Sequence, residues 1–187
     1  NASVPADDPQ TLNEVLQFLF TLPTRYAAFL VDAIYKIFSD TATLTYGLSF
    51  SCSLLFILIC HEMGHYIACR IYKVDATLPF FIPTPPMIGP AGTFGAFIKI
   101  LSRMPSRKAV FDIGVAGPIA GFIALIPVAF LGIWTMEPAT AEQLASPSGL
   151  VFADPLFMRL LGFALGHDPA VSVGNAFYFA GWVGLLV

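Results

Sequence analysis

Charge is what this chain has least of. Of 187 residues, 11% are Asp, Glu, Lys or Arg, against roughly 25% in an ordinary soluble domain. With 57% hydrophobic residues and a mean hydropathy of +0.77, too few charges exist to cover a soluble globule. The same apolar content excludes disorder over most of the length. The net charge is −3, and no basic excess exists for a nucleic-acid partner. Cysteine is nearly absent too: Cys52, Cys60 and Cys69 lie within one apolar stretch, form no disulfide framework and read as packing residues. Internal repeats are missing. The first residues carry no basic stretch followed by an apolar one, so no signal peptide is expected within them. Both ends read as interior points of a longer chain. What remains is a multi-pass membrane protein in contact with a lipid bilayer.

The apolar runs define its organisation. Thr11-Leu-Asn-Glu14 has the spacing of a helix capping box. The following run, 15–38, is broken by Pro23 and places Arg25, Asp32 and Lys36 on one helical face, with Asp32 and Lys36 able to pair. This run is either a span with an inward polar stripe or an amphipathic helix in the interface. Residues 44–69 form a firmer span: 26 residues rise about 39 Å as a helix, enough to cross. Residues 109–136 include an uncharged run from Ile113 to Met136, with a face of Gly114, Ala116, Gly117, Ala120, Gly121 and Ala124 that lets another helix come close. Pro118 and Pro127 should kink it. Residues 170–187 read as the start of a further span. The expected fold is a membrane all-α bundle with a small β-hairpin or loop insertion.

That insertion is the 70–108 segment. Its prolines and glycines exclude helix over much of it, and Phe94–Leu101 is β-prone. Six of the nine Lys and Arg residues lie here, so it is expected on the cytoplasmic side. The 137–169 loop, with four acids, one arginine and an amphipathic stretch near 156–165, is then extracytoplasmic. The whole of 1–187 is expected to be a single core.

Against this apolar ground one string stands out: His61-Glu62-Met63-Gly64-His65. His61 and His65 stand one helical turn apart, so both imidazoles reach one metal ion. Glu62 lies near that metal without binding it, where it can take a proton from an activated water. This is the pattern of a zinc peptide hydrolase. His61, Glu62 and His65 are the only strongly ionisable side chains between Thr41 and Cys69. Such groups cost several kcal/mol inside a span, so their presence there marks function. Counting from Arg70, His65 lies about 7 Å and His61 about 13 Å into the membrane. The soluble zincins do not fit: a metzincin extension needs Gly at 68 and His at 71, where the chain has Ala68 and Ile71. No acid occurs from Ala76 to Ser106. Asp112 reads as an interfacial carboxylate, and His167 and Asp168 as surface residues across the membrane.

A membrane-embedded HExxH, then Gly92-Thr-Phe-Gly-Ala96 in a β-prone loop, then Phe111-Asp-Ile-Gly-Val-Ala-Gly-Pro118 opening a span, resembles the site-2 protease family of intramembrane zinc metalloproteases. The likeness is to its bacterial and chloroplast branch and covers roughly residues 44–187. The resemblance implies Zn2+ held by His61 and His65, with Glu62 catalytic. It also implies a third ligand from an Asp in a Leu-Asp-Gly motif, and these residues contain no Leu-Asp-Gly. The sequence is therefore expected to stop short of that motif, and this piece alone to lack a full ligand set. The family activity is cleavage of transmembrane segments of single-pass proteins in regulated intramembrane proteolysis, here expected in a bacterial inner membrane with the site toward the cytoplasm. Gly92, Thr93, Phe94, Gly95 and Ala96 are candidate substrate contacts, since a strand edge can hold an unwound peptide by β-augmentation. The alternatives are a silent relative that binds transmembrane segments without cutting, and a transporter built on broken helices.

Overall fold

The structure is a computed structural model and describes residues 11–84, 93–141 and 153–186. The chain divides into two compact units, residues 1–44 and 45–187.

The first unit is dominated by helix α1, Leu12–Ser39. It is continuous through Pro23, where the sequence predicts a break. Around the proline, the hydroxyls of Thr21 and Thr24 donate to the carbonyls of Gln17 (2.9 Å) and Thr21 (2.8 Å). Asp32 and Lys36 form the expected pair at 2.9 Å, and Arg25 instead sits over the ring of Phe18. Asp40 then accepts the amides of Ala42 (3.1 Å) and Thr43 (3.0 Å), an N-terminal cap for the next helix. The Thr43 hydroxyl, bonded to the same carboxylate, holds Asp40 below its ordinary acidity range.

The second unit is a helical bundle. Helix α2 runs Thr41–Ile71, its first residues belonging to the first unit, and helix α3 runs Arg107–Trp134. Helix α2 exceeds the expected 44–69 by a few residues at each end, α3 starts and ends two residues before the expected 109–136, and α3 remains one helix through Pro118 and Pro127. Among the described residues these two helices are long and apolar enough to cross a membrane, and α1 is not one of them. Helix α2 ends with Lys73 at φ 56°, and the Val74 amide reaches back to Cys69 O at 2.8 Å. This is a left-handed stop at a residue other than glycine, so composition did not announce it. Ser106 caps α3 by accepting the Ala109 amide at 3.1 Å.

Between α2 and α3 lies the expected hairpin: β1, Phe80–Pro83, antiparallel to β2, Thr93–Phe97. Phe80 faces Phe97 and Phe81 faces Ala96, then the register slips so that Pro83 faces Thr93. The extra residue falls at Gly95, whose φ of 115° is closed to other side chains, so the bulge needs glycine. Gly92 lies outside the described residues.

Beyond α3, a two-residue strand β3 (Glu137–Pro138) pairs with β4 (Ser172–Val173). Helix α4, Leu156–Leu165, takes up the amphipathic stretch, and helix α5, Ala176–Gly184, falls inside the expected further span. Asn175 starts α5: its side-chain oxygen accepts the Tyr178 amide (2.9 Å) and its side-chain nitrogen donates to Gly132 O (2.8 Å), tying α5 to the end of α3. α5 then packs back along α3. A methyl group added at Gly132 would meet the Tyr178 backbone at 2.6 Å, and one at Gly184 would meet Leu125 at 3.2 Å. The core joins Leu54, Ile57 and Leu58 of α2 to Leu125, Ala129 and Ile133 of α3, and to Met158 and Tyr178. Strand β2 reaches this core through Ala96.

Candidate metal centre

Close approach of α2 and α3 builds the site. Gly64 lies against α3 so tightly that a methyl there would stand 2.4 Å from Ala116 O and 2.7 Å from Ala120 Cβ. One turn either way, the missing side chains of α3 make room for imidazoles. A methyl at Gly117 would overlap the His65 ring, 2.1 Å from Nε2, and one at Gly121 would press on His61 at 3.1 Å. The small-residue stripe is thus both a packing face and the mould of the two histidines. Sequence reading assigns it only the first role.

His61 Nε2 and His65 Nε2 are 3.2 Å apart. Two nitrogens on one tetrahedral zinc, each about 2.0–2.1 Å from it, are separated by roughly 3.4 Å. The spacing therefore fits a shared metal. His65 Nδ1 lies 2.6 Å from Ile113 O. A carbonyl only accepts, so Nδ1 carries the proton and Nε2 presents its lone pair to the metal position. The Ile113 carbonyl is a functional group that side-chain reasoning had no means of finding.

Glu62 completes the group: one ligand-type atom from each of His61, Glu62 and His65 lies within 4.8 Å of the others, and no other such group is found among the described residues. The backbone amide of Ile98, the residue after β2, lies near the Glu62 carboxylate. The end of the hairpin therefore stands beside the site. Of the candidate substrate contacts, Ala96 is buried, and Thr93 and Gly95 are partly buried. Thr93 Oγ1 accepts the Gly95 amide at 3.1 Å and lies 2.9 Å from Ile82 O, stitching the bulge. A cavity of about 490 Å³ opens beside His61, walled by Pro118, Gly121, Phe122 and the end of α5.

The residues weighed and set aside from sequence are placed elsewhere. Asp112 accepts the Tyr72 hydroxyl and joins the end of α2 to the start of α3. His167 Nδ1 lies 3.0 Å from Leu165 O, and Asp168 accepts the Ala170 amide at 3.0 Å. Cys69 is buried in an apolar cluster with Ala109 and Ile113.

Two helices long and apolar enough to cross a membrane thus pack around a histidine-glutamate-histidine group that could hold a metal ion. The family model described as peptidase family M50 matches residues 49–187, and the chain belongs to that family. Among curated proteins it is 32% identical to the probable zinc metalloprotease EGY1, chloroplastic, of Arabidopsis thaliana, over 92% of this chain and 30% of that protein. It is 34% identical to the EGY1 protein of Oryza sativa subsp. japonica over 70% of this chain and 23% of that one. The probable zinc metalloprotease EGY2, chloroplastic, of Arabidopsis thaliana is 26% identical over 90% of this chain and 30% of its own length. The chain thus spans about a third or less of these relatives. No solved structure matches it.

Proposed function

We propose that this chain is the zinc-binding part of an intramembrane endopeptidase that cuts transmembrane segments of single-pass membrane proteins, in the manner of regulated intramembrane proteolysis. The observation that carries the reading is the 3.2 Å pair of Nε2 atoms with Glu62 beside it, set in an apolar helix. Family membership and the printed names of the relatives support zinc as the ion. His61 and His65 hold the metal, and the Ile113 carbonyl fixes the tautomer of His65. Zinc, when bound, polarises the scissile carbonyl and acidifies the attacking water to near neutrality.

Glu62 takes the proton from that water as its oxygen bonds to the carbonyl carbon. It then delivers the proton to the leaving amine as the carbon–nitrogen bond breaks. The Ile98 amide lies near the carboxylate and is the backbone donor assigned to orient it. A substrate helix must unwind before it is cut, because its amides are otherwise held in intrahelical bonds. The hairpin is the element we assign to receive it: β1 occupies one edge of β2, and the residue after β2 lies near Glu62. Thr93, Gly95 and Ala96, with Gly92 and Phe94, are assigned to this contact. We place residues 70–108 on the cytoplasmic side of a bacterial-type inner membrane, or on the equivalent face of a plastid membrane.

The test is cleavage of a single-pass reporter by full-length protein. Activity lost on zinc removal, restored by zinc and abolished by Glu62→Gln supports the proposal. Cleavage that persists in Glu62→Gln refutes it. Stoichiometric zinc without cleavage of any transmembrane reporter would leave the silent, segment-binding relative.

A further inference from the structure

Helix α4 does not lie across the end of the bundle. Its first residues meet the middle of α3: the Phe157 ring packs on Phe122 at 5.1 Å, edge to face. Next to it, Met158 and Ala129 both abut Gly181 of α5. Its far end meets the end of α3, where the His167 ring stands 6.4 Å from Trp134. Phe122 and Trp134 are about 18 Å apart along α3, and ten residues of α4 rise about 15 Å. The helix therefore runs beside the half of α3 that lies beyond the histidines, from mid-span out to the Trp134 end. Gly166, with φ 71°, stops it there.

Residues 153–155, entering α4, are non-helical, and two of their polar groups are bonded by protein. Trp182 Nε1 donates to Ala153 O at 3.1 Å, and the Tyr178 hydroxyl donates to the Asp154 carboxylate. Both donors stand on α5, one turn apart. Irregular backbone at membrane depth is tolerated only under this condition. The outward face of α4 carries Leu156, Leu160 and Phe163, 71%, 60% and 86% exposed, at i, i+4 and i+7, with the exposed Arg159 beside them. Met158 and Gly162 turn inward. Through the Phe122–Phe157 pair, that outward face continues the exposed flank of α3 formed by Ile119, Ile123 and Ile126. A groove of about 570 Å³ runs along it, with Arg159, His167 and Asp168 among its lining residues.

We propose that α4 is a re-entrant half-helix whose outward face is covered by acyl chains of the bilayer. Residues 153–155 lie at mid-membrane, and the chain climbs from there along α4. The occupant is lipid because the face is continuous with the flank of a spanning helix at the same depth. The proposal rests on α3 crossing the membrane and is independent of peptidase activity.

The test is a depth measurement on full-length protein in vesicles of phosphatidylcholine and phosphatidylglycerol. Cys52, Cys60 and Cys69 are replaced by Ser, and spin labels are placed singly through Leu156→Cys, Leu160→Cys and Phe163→Cys. These side chains are exposed, so labels there leave the core intact. The expected result is contact with oxygen rather than a water-soluble nickel chelate at all three. Depth should increase from 163 to 160 to 156, over a total of about 10 Å. Equal depths would mean a helix flat in the interface and overturn re-entry. Nickel-dominated contact would put α4 in water and overturn it as well. Exclusion of both probes would mean a protein partner covers the face, and the lipid assignment would fall.

Discussion

Replacing Gly117 by alanine separates the metal site from the fold. The new methyl would stand 2.1 Å from His65 Nε2, 2.4 Å from Cε1 and 2.5 Å from Cδ2, where ordinary contact begins at 3.4 Å. The ring must therefore move by more than 1 Å. It is the free end of a side chain, so it can move while the helices stay packed. Moving it withdraws Nε2 from its 3.2 Å partnership with His61 and breaks the 2.6 Å bond to Ile113 O. Losing a group that orients a ligand costs about 10–100-fold in metal affinity, and here the ligand itself is displaced. The expected loss in zinc affinity is about 100-fold or more, or ~2.7 kcal/mol. Alanine is meanwhile the better helix former by about 0.8–1.0 kcal/mol, so α3 itself should not weaken. Gly121→Ala, at 3.1 Å from His61, should cost about tenfold or less in affinity. Gly114→Ala, with nothing within 4 Å, should cost nothing. Zinc affinity is measured by competition with a chromophoric chelator, and stability by thermal unfolding in detergent. The order Gly117, Gly121, Gly114 in loss of affinity is the signature. A Gly117→Ala protein that binds zinc like the parent would refute the placement of His65.

Three further outcomes are expected. Glu62→Gln should keep zinc and lose cleavage by about 10²–10⁴-fold, the usual contribution of a general acid–base, measured on a single-pass reporter. Gly64→Ala meets the backbone carbonyl of Ala116 at 2.4 Å and cannot be relieved by one side chain. It should push α2 from α3, lowering stability by about 1–3 kcal/mol and zinc affinity with it, whereas Gly117→Ala should lower affinity alone. Gly95→Ala strains the bulge at φ 115°, so cleavage should fall severalfold while zinc content is unchanged, read by metal analysis alongside the reporter assay.

Local chemistry and period were legible in the sequence, and tertiary partners were not. His61 and His65 announce a shared metal because four residues make one helical turn, and scarcity of charge makes them visible. The hairpin was readable as a region from its prolines and from Phe94–Leu101, yet the nearness of the Ile98 amide to Glu62 was not, since backbone groups leave no trace in residue type. The same holds for Ile113 O on His65. Gly117 and Gly121 were visible as small residues, but only the crossing of α2 shows which ring each accommodates. Pro23 and Lys73 ran against local rules: one sits inside a helix, the other holds a left-handed stop that usually belongs to glycine. Helix α4 was readable as amphipathic, while its path back into the bundle depends on Trp182 and Tyr178, far along the chain.

The most direct test of the account is the zinc content of purified full-length protein, per chain, by mass spectrometry. The parent and Glu62→Gln should each carry one zinc, and His65→Ala should carry almost none. A parent without zinc, or a His65→Ala protein that keeps it, would contradict the assignment of this site.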